Sequence, residues 1–175
     1  MYGVTAHHGR TMQTFREYAS ARRAQLRRTA YLLCGDWYLA DDLVQDALAR
    51  LYVHWRRVRA RGEVDAYVRR MLVNGFLAGR RRSWHRELAV ASLPDTPAPD
   101  PIGDGTRELL LRALADLHPS QRAVVVLRYW EDLSVEQTAA VLQCSTGNVK
   151  SQASRGLAHL RAALSRAVAV EGGER

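Results

Sequence analysis

The chain has 175 residues, 47% of them hydrophobic, which suits one ordinary domain or two small packed ones and excludes wholesale disorder. Its net charge of +8 is uneven: residues 1–87 carry 17 cationic against 8 acidic side chains, and residues 88–175 carry 9 against 10. No stretch approaches the ~20 apolar residues of a membrane span, the N-terminus lacks the apolar core of a signal peptide, and two widely spaced cysteines suggest neither disulfide framework nor metal site; a cytoplasmic protein without membrane insertion is expected.

Residues 1–12 read as loosely ordered, and Met12 offers a second candidate start. A first helix runs from near Thr14 to Cys34, burying Phe15, Tyr18, Leu26, Ala30 and Leu33 at helical spacing. Gly35-Asp36 breaks it. A second helix, from about Leu39 to Trp55, carries an apolar stripe of Leu43, Val44, Ala47, Leu48, Leu51 and Trp55. Asp42, Gln45 and Asp46 project from its other side. Asp41 and Asp42 suit the positive end of the helix dipole, whereas Asp46 lies a turn further in, with Arg50 as a possible i,i+4 partner. An acidic face on a basic module fits docking to a basic protein surface. Magnesium-dependent diphosphate chemistry also uses helical aspartates, but the slot for its further carboxylate falls on Gln45 and a second acidic cluster is missing. No catalysis, metal or cofactor is expected.

The third helix starts near Val64 and buries Tyr67, Val68, Met71, Leu72 and Phe76. Arg69, Arg70, Arg80, Arg81, Arg82 and Arg86 charge its other side and its end, with Trp84 and His85 among them. Arginines interleaved with an aromatic suit single-stranded DNA, whose phosphates are tracked while bases stack; a solvated helix end with Trp84 folded onto the core would look the same. Gly75 and Gly79 each cost about 1 kcal/mol of helix stability, so this helix is expected to end early or to become ordered only on DNA. Ser92 to Thr106 (SLPDTPAPDPIGDGT) holds four of the five prolines and reads as a flexible, mildly acidic linker.

The second module has a helix near Leu109 to Leu117 and another opened by Pro119 at its first turn. Then comes SVEQTAAVLQCSTGNVKSQASRGLAHLRAAL, from Ser134. Ser134 and Gln137 form a capping box, Ser145 caps a following helix, and the intervening residues leave room only for a sharp corner. Val149, Ala153, Gly156, Leu157 and Leu160 share one face; Asn148, Lys150, Ser151, Ser154 and Arg155 share the other, with no acidic residue from Ser145 to Arg166. Amide, hydroxyl and cationic groups are those that read base edges and grip phosphates. This is a helix-turn-helix with a usable recognition helix, and the chain as a whole reads as all-α, two small helical modules joined by a Pro/Asp-rich flexible linker.

In this order the aspartate-bearing helix, the arginine-rich segment and the helix-turn-helix resemble bacterial sigma factors of the extracytoplasmic-function type, of the actinobacterial sigma-E-like group. ADDLVQDALARLY is similar to the family's region 2 docking helix, AYVRRMLVN with the arginine run to its −10 reader, and LHPSQRAVVVLRYWEDLSVEQTAAVLQCSTGNVKSQASRGLAHLR to its region 4. The resemblance implies a tail (1–13), region 2 (14–91), a linker (92–106), region 4 (107–167) and a C-terminal tail (168–175). It implies that Asp42, Gln45, Asp46 and Ala49 face core RNA polymerase at its clamp coiled coil, with a second contact at the flap. Asn74, Arg80, Arg81, Arg82 and Trp84 would hold the −10 element of promoter DNA. Ser145, Thr146, Asn148, Lys150, Ser151, Ser154 and Arg155 would meet the −35 element. An anti-sigma protein is the regulator such chains commonly have. Two rivals are a one-component regulator that binds DNA without polymerase and a sigma-like decoy; the aspartate helix and −10-like segment argue against the first, and the intact recognition face against the second.

Overall fold

A computed structural model describes residues 14–83 and 104–172, apart from the side chains at 80–83, 104, 106 and 167–172. Helix α1 (Phe15–Cys34) opens on Thr14, whose hydroxyl accepts from the Glu17 backbone N–H while the Glu17 carboxylate accepts from that of Thr14. This reciprocal cap satisfies two amides that no helical carbonyl can reach. The helix closes on Gly35 in the left-handed region (φ 78). Asp36 then caps α2 (Trp37–Ala60) by accepting from Leu39 N at 2.9 Å. The second helix is therefore longer than its apolar stripe at both ends, because the cap lies before the stripe and no breaker comes until Gly62 (φ 69).

Helix α3 (Val64–Ser83) does not end early; it continues through both glycines. At Gly75 the missing side chain is what brings α3 against α2, since a Cβ there would lie 2.8 Å from Leu43 Cδ2. Burial of Leu72, Val73 and Phe76 beside it outweighs the propensity cost, each such side chain contributing about 1.5–3 kcal/mol.

Helix α4 (Asp104–Ala115) takes in the last three residues of the expected linker. Once past Pro101 nothing forbids helix, and Asp104 is an acid at the positive end. Helix α5 (Pro119–Val125) does open on its proline, but it passes into a π-helical turn, Val126–Trp130, in which Glu131 N–H reaches back to Val126 O at 3.1 Å. The unbroken apolar run AVVVL carries no periodic mark of the extra residue in that turn. Helices α6 (Val135–Leu142) and α7 (Thr146–Gly172) complete the described chain.

The two modules share a core. Tyr18, Leu26, Leu33, Leu51, Val68, Leu72 and Phe76 from the first are continuous with Ala123, Val126, Leu127, Leu133 and Val141 from the second. Smaller clusters seat α7 on α4 and α5 through Leu114, Leu117, Val125 and Leu160, and on α6 through Val124, Ala139, Val149 and Ala153.

Gly156 is the tightest point of that seating, for a Cβ there would lie 2.8 Å from Val125 Cγ2 and 3.6 Å from Gln121 Cβ. Valine is stiff at χ1 and cannot give way cheaply. Gly156→Ala should therefore destabilise the fold by about 1–3 kcal/mol. Gly79→Ala, with nothing near its Cβ position, should stabilise it by up to ~1 kcal/mol. Urea unfolding of both variants checks the pair; a stabilising Gly156→Ala would contradict this packing.

Candidate nucleic-acid interface

The corner between α6 and α7 is built from local hydrogen bonds. Ser134 N–H donates to Gln137 Oε1 (2.8 Å), and Gln137 N–H donates to the Ser134 hydroxyl (3.1 Å). Gln143 ends α6 in the left-handed region (φ 54), and Ser145 Oγ caps α7 by accepting from Asn148 N–H at 3.1 Å. Both caps were legible in the sequence. Upstream, the Arg128 guanidinium donates to the Leu133 carbonyl, tying the π turn to the entry of α6.

Helix α7 is then fixed in rotation. Val149 is fully buried, Ala153, Gly156 and Leu160 are buried, and Leu157 is half-buried. The opposite face leaves Ser145, Thr146, Asn148, Lys150, Ser154 and Arg155 exposed and Ser151 half-exposed, so all seven expected −35 contacts lie on one accessible surface at the N-terminal end of α7. That end also offers free amides and the positive pole of the helix dipole to a phosphate. Glu136 on α6 is the nearby acid; its own backbone N–H and the Ser134 hydroxyl hold it below the usual carboxylate range, and Lys150 and Arg128 add to that.

A second surface lies on α2. Asp42, Gln45, Asp46 and Ala49 are all exposed on one helical face. Tyr38, Tyr52 and Val53, four residues before and three or four after, are exposed as well and extend the face with apolar groups at both ends. Sequence reasoning missed these three; the i±4 spacing from Asp42 and Ala49 was the available signal. Asp41 turns away to Arg27, which it holds by two hydrogen bonds of 2.7 and 3.1 Å. The Arg27 guanidinium also lies 4.4 Å over the Trp37 ring. Because α2 starts at Trp37, Asp36 rather than Asp41 or Asp42 serves the helix start, and the dipole reading of those two aspartates is corrected accordingly. Asp46 is exposed, and among the described residues it makes no ion pair with Arg50.

On α3, Asn74 is exposed. Arg80, Arg81 and Arg82 continue the same helix by backbone, while Trp84 lies outside the described residues. Cys34 is half-buried, its thiol donating to the Asp36 carbonyl, and burial pushes it up from the ordinary thiol range, which makes it a poor nucleophile. Among the described residues no helix is long and apolar enough to cross a membrane.

Residues 19–86 match the sigma-70 region 2 family and residues 107–160 match sigma-70 region 4. The RNA polymerase sigma-E factor of Streptomyces coelicolor is 42% identical over 153 residues, covering 84% of either chain. The chain belongs to the RNA polymerase sigma-factor family. A sigma-E factor from Streptomyces avermitilis is 41% identical over 160 residues, covering 88% of this sigma factor and 86% of its relative. The sigma factor RpoE of Bartonella quintana, solved with the anti-sigma factor NepR, superposes with a TM-score of 0.74 at 25% identity, covering 86% of this chain and 96% of that one. In the present sigma factor the region 2 match takes in most of α1, all of α2 and α3, and the region 4 match runs from α4 into α7.

Each cation that neutralises a phosphate adds close to one to the slope of binding against salt. Replacing Lys150 and Arg155 together by Ala should lower the slope of log affinity against log salt by about 2 for duplex DNA, read by fluorescence anisotropy. An unchanged slope would remove the α7 face from DNA contact.

Proposed function

We propose that this sigma factor is the promoter-recognising subunit of bacterial RNA polymerase, acting in the cytoplasm and catalysing no reaction itself. The observation that carries this reading is the occurrence, in one chain, of an exposed acidic-apolar face on α2 and a capped recognition helix in α7, within matches to regions 2 and 4. A regulator that bound DNA alone would have no use for the α2 face.

In this reading Asp42, Gln45, Asp46 and Ala49 dock on the clamp coiled coil of core polymerase, with region 4 near the flap. Acidic groups ringed by tyrosines suit a basic partner: the charges steer the encounter and the aromatics bury area. The α7 face reads the −35 element in the major groove, where Lys150 and Arg155 grip phosphates and Asn148 reaches base edges. Asn74 receives a base extruded from the −10 element, Arg80, Arg81 and Arg82 hold phosphates around it, and Trp84 stacks on a neighbouring base. Extrusion costs a few kcal/mol of stacking and pairing, and contacts available only to the open strand offset it. Binding thus drives melting without a chemical step. The linker crosses the polymerase between the two contacts. An anti-sigma protein, like the one solved with the Bartonella relative, would act by covering these faces.

Asp46→Arg reverses the charge on an exposed position that makes no ion pair among the described residues. It should weaken binding to core polymerase at least tenfold, about 1.4 kcal/mol, with an unchanged unfolding midpoint; undiminished affinity would overturn the docking assignment. Asn74→Ala should leave closed-complex formation intact and lower the thymine reactivity to permanganate that reports strand opening. Full reactivity would take Asn74 out of the −10 pocket.

A further inference from the structure

The acidic-apolar face of α2 begins at the end of the helix that is least able to hold itself. The first turn of a helix has amides that no helical carbonyl meets, and helix ends fray. In α2 the Asp36 side chain serves one of these amides, Leu39 N–H, at 2.9 Å. The first core contact is the small Ala40, and the first large ones are Leu43 and Val44. Tyr38 and Leu39 are exposed. Of residues 37–39 only Trp37 packs on the core, and it is half-buried.

A stack of side chains on the rim of the α1–α2 contact holds this turn. Trp37 lies flat on Tyr31 of α1, with ring centroids 3.9 Å apart and planes 10° from parallel. The Arg27 guanidinium lies over the same indole, 4.4 Å from the ring centroid. It also grips Asp41 with two nitrogens, Nε donating to Oδ1 at 2.7 Å and Nη2 to Oδ2 at 3.1 Å. Arg27 and Tyr31 are one turn apart on α1, as Trp37 and Asp41 are on α2, so each pair stands on one side of its helix. The two pairs face each other across the corner made by Gly35 and Asp36. A guanidinium suits this double task, because its edge can fork onto a carboxylate while its flat face covers an aromatic ring.

The stack sits one residue before the docking face at each of these turns. Tyr38 follows Trp37 and Asp42 follows Asp41, each about 100° further round the helix. Fixing Trp37 and Asp41 therefore fixes the directions in which Tyr38 and Asp42 leave it.

We propose that Arg27 is a positioning residue for polymerase docking: through Asp41 and Trp37 it orders the first turn of α2 before the polymerase arrives. The proposal rests on the docking reading of α2 and deepens it. The Arg27 and Asp41 side chains are 43% and 37% exposed, and such a pair contributes little to folding, since water screens it and two side chains must be ordered. Its effect on docking is of another kind. When the turn is already ordered, association does not carry that cost. Without Arg27 the ordering has to happen on the polymerase.

The test compares the full-length wild-type chain with Arg27→Leu and with an exchanged pair, Arg27→Asp together with Asp41→Arg. Affinity for sigma-free core RNA polymerase is measured for each, beside hydrogen exchange across residues 37–43, the urea midpoint and the affinity for duplex DNA. Arg27→Leu should speed exchange across residues 37–43 and weaken polymerase binding about three- to fivefold, the upper range for an exposed pair in good geometry. Its urea midpoint and duplex-DNA affinity should match wild type. The exchanged pair should regain most of the lost polymerase affinity, because a bridge of either polarity can hold the turn. Were Arg27 or Asp41 touching the polymerase directly, inverting both charges would deepen the loss, so an exchanged pair weaker than Arg27→Leu would overturn the positioning role. A loss shared by polymerase binding, duplex-DNA binding and the urea midpoint would overturn it as well, by making Arg27 a general structural residue. Full polymerase affinity in Arg27→Leu, with Asp46→Arg still weakened, would overturn the proposal and leave the docking reading standing. Full affinity in both would remove the docking reading and the role of Arg27 with it.

Discussion

Burying a guanidinium is costly unless its hydrogen bonds are met, and the end of a helix leaves carbonyls that need donors. Arg122 Nε–H meets one such carbonyl at the end of α1. The side chain is 1% exposed and donates from Nε to Leu32 O, in the last turn of α1, where the helix dipole is negative. Gly35 makes room, for its Cβ position lies 3.4 Å from an Arg122 terminal nitrogen. One residue of α5 is thereby fixed against the α1–α2 corner. Beside that anchor lie the π turn, the bond from the Thr29 hydroxyl to Glu131, and the packing of α6 on α3. The apolar core shared by both modules supplies the attraction, and the polar set chooses its register.

The same logic holds for the exposed faces of α2 and α7. These faces sit on helices whose opposite sides are buried: α2 through Leu43, Val44, Ala47 and Leu51, and α7 through Val149, Ala153 and Leu160. Each face is thus held in one rotation before any partner arrives, which lowers the ordering cost of association. The two modules share a core and are joined through residues 84–103, four of which are proline.

Much of this was legible in the sequence where the signals are local. Ser134, Gln137 and Ser145 announce their caps, and the spacing of Val149, Ala153 and Leu160 gives the rotation of α7. The break at Gly35-Asp36 and the acidic face of α2 are equally local. The structure adds what depends on distant partners. Gly75 looks like a helix breaker until Leu43 is found against it. The burial of Glu131 has no local signal, because its partners Arg69 and Thr29 are far away in sequence. Tyr52 and Val53 fall outside the apolar stripe of α2, and the structure shows them exposed beside Ala49. Asp104 shows the complementary error, where composition extended a linker into residues that form the first turn of a helix.

The central claim is that this chain confers promoter recognition on a polymerase that lacks it. The direct measurement is run-off transcription with sigma-free core RNA polymerase on fragmented genomic DNA, with and without the full-length chain. The account predicts discrete transcripts that require the chain and whose start sites share two upstream sequence elements. DNA binding by the chain alone, with no chain-dependent transcript from any fragment, would contradict it.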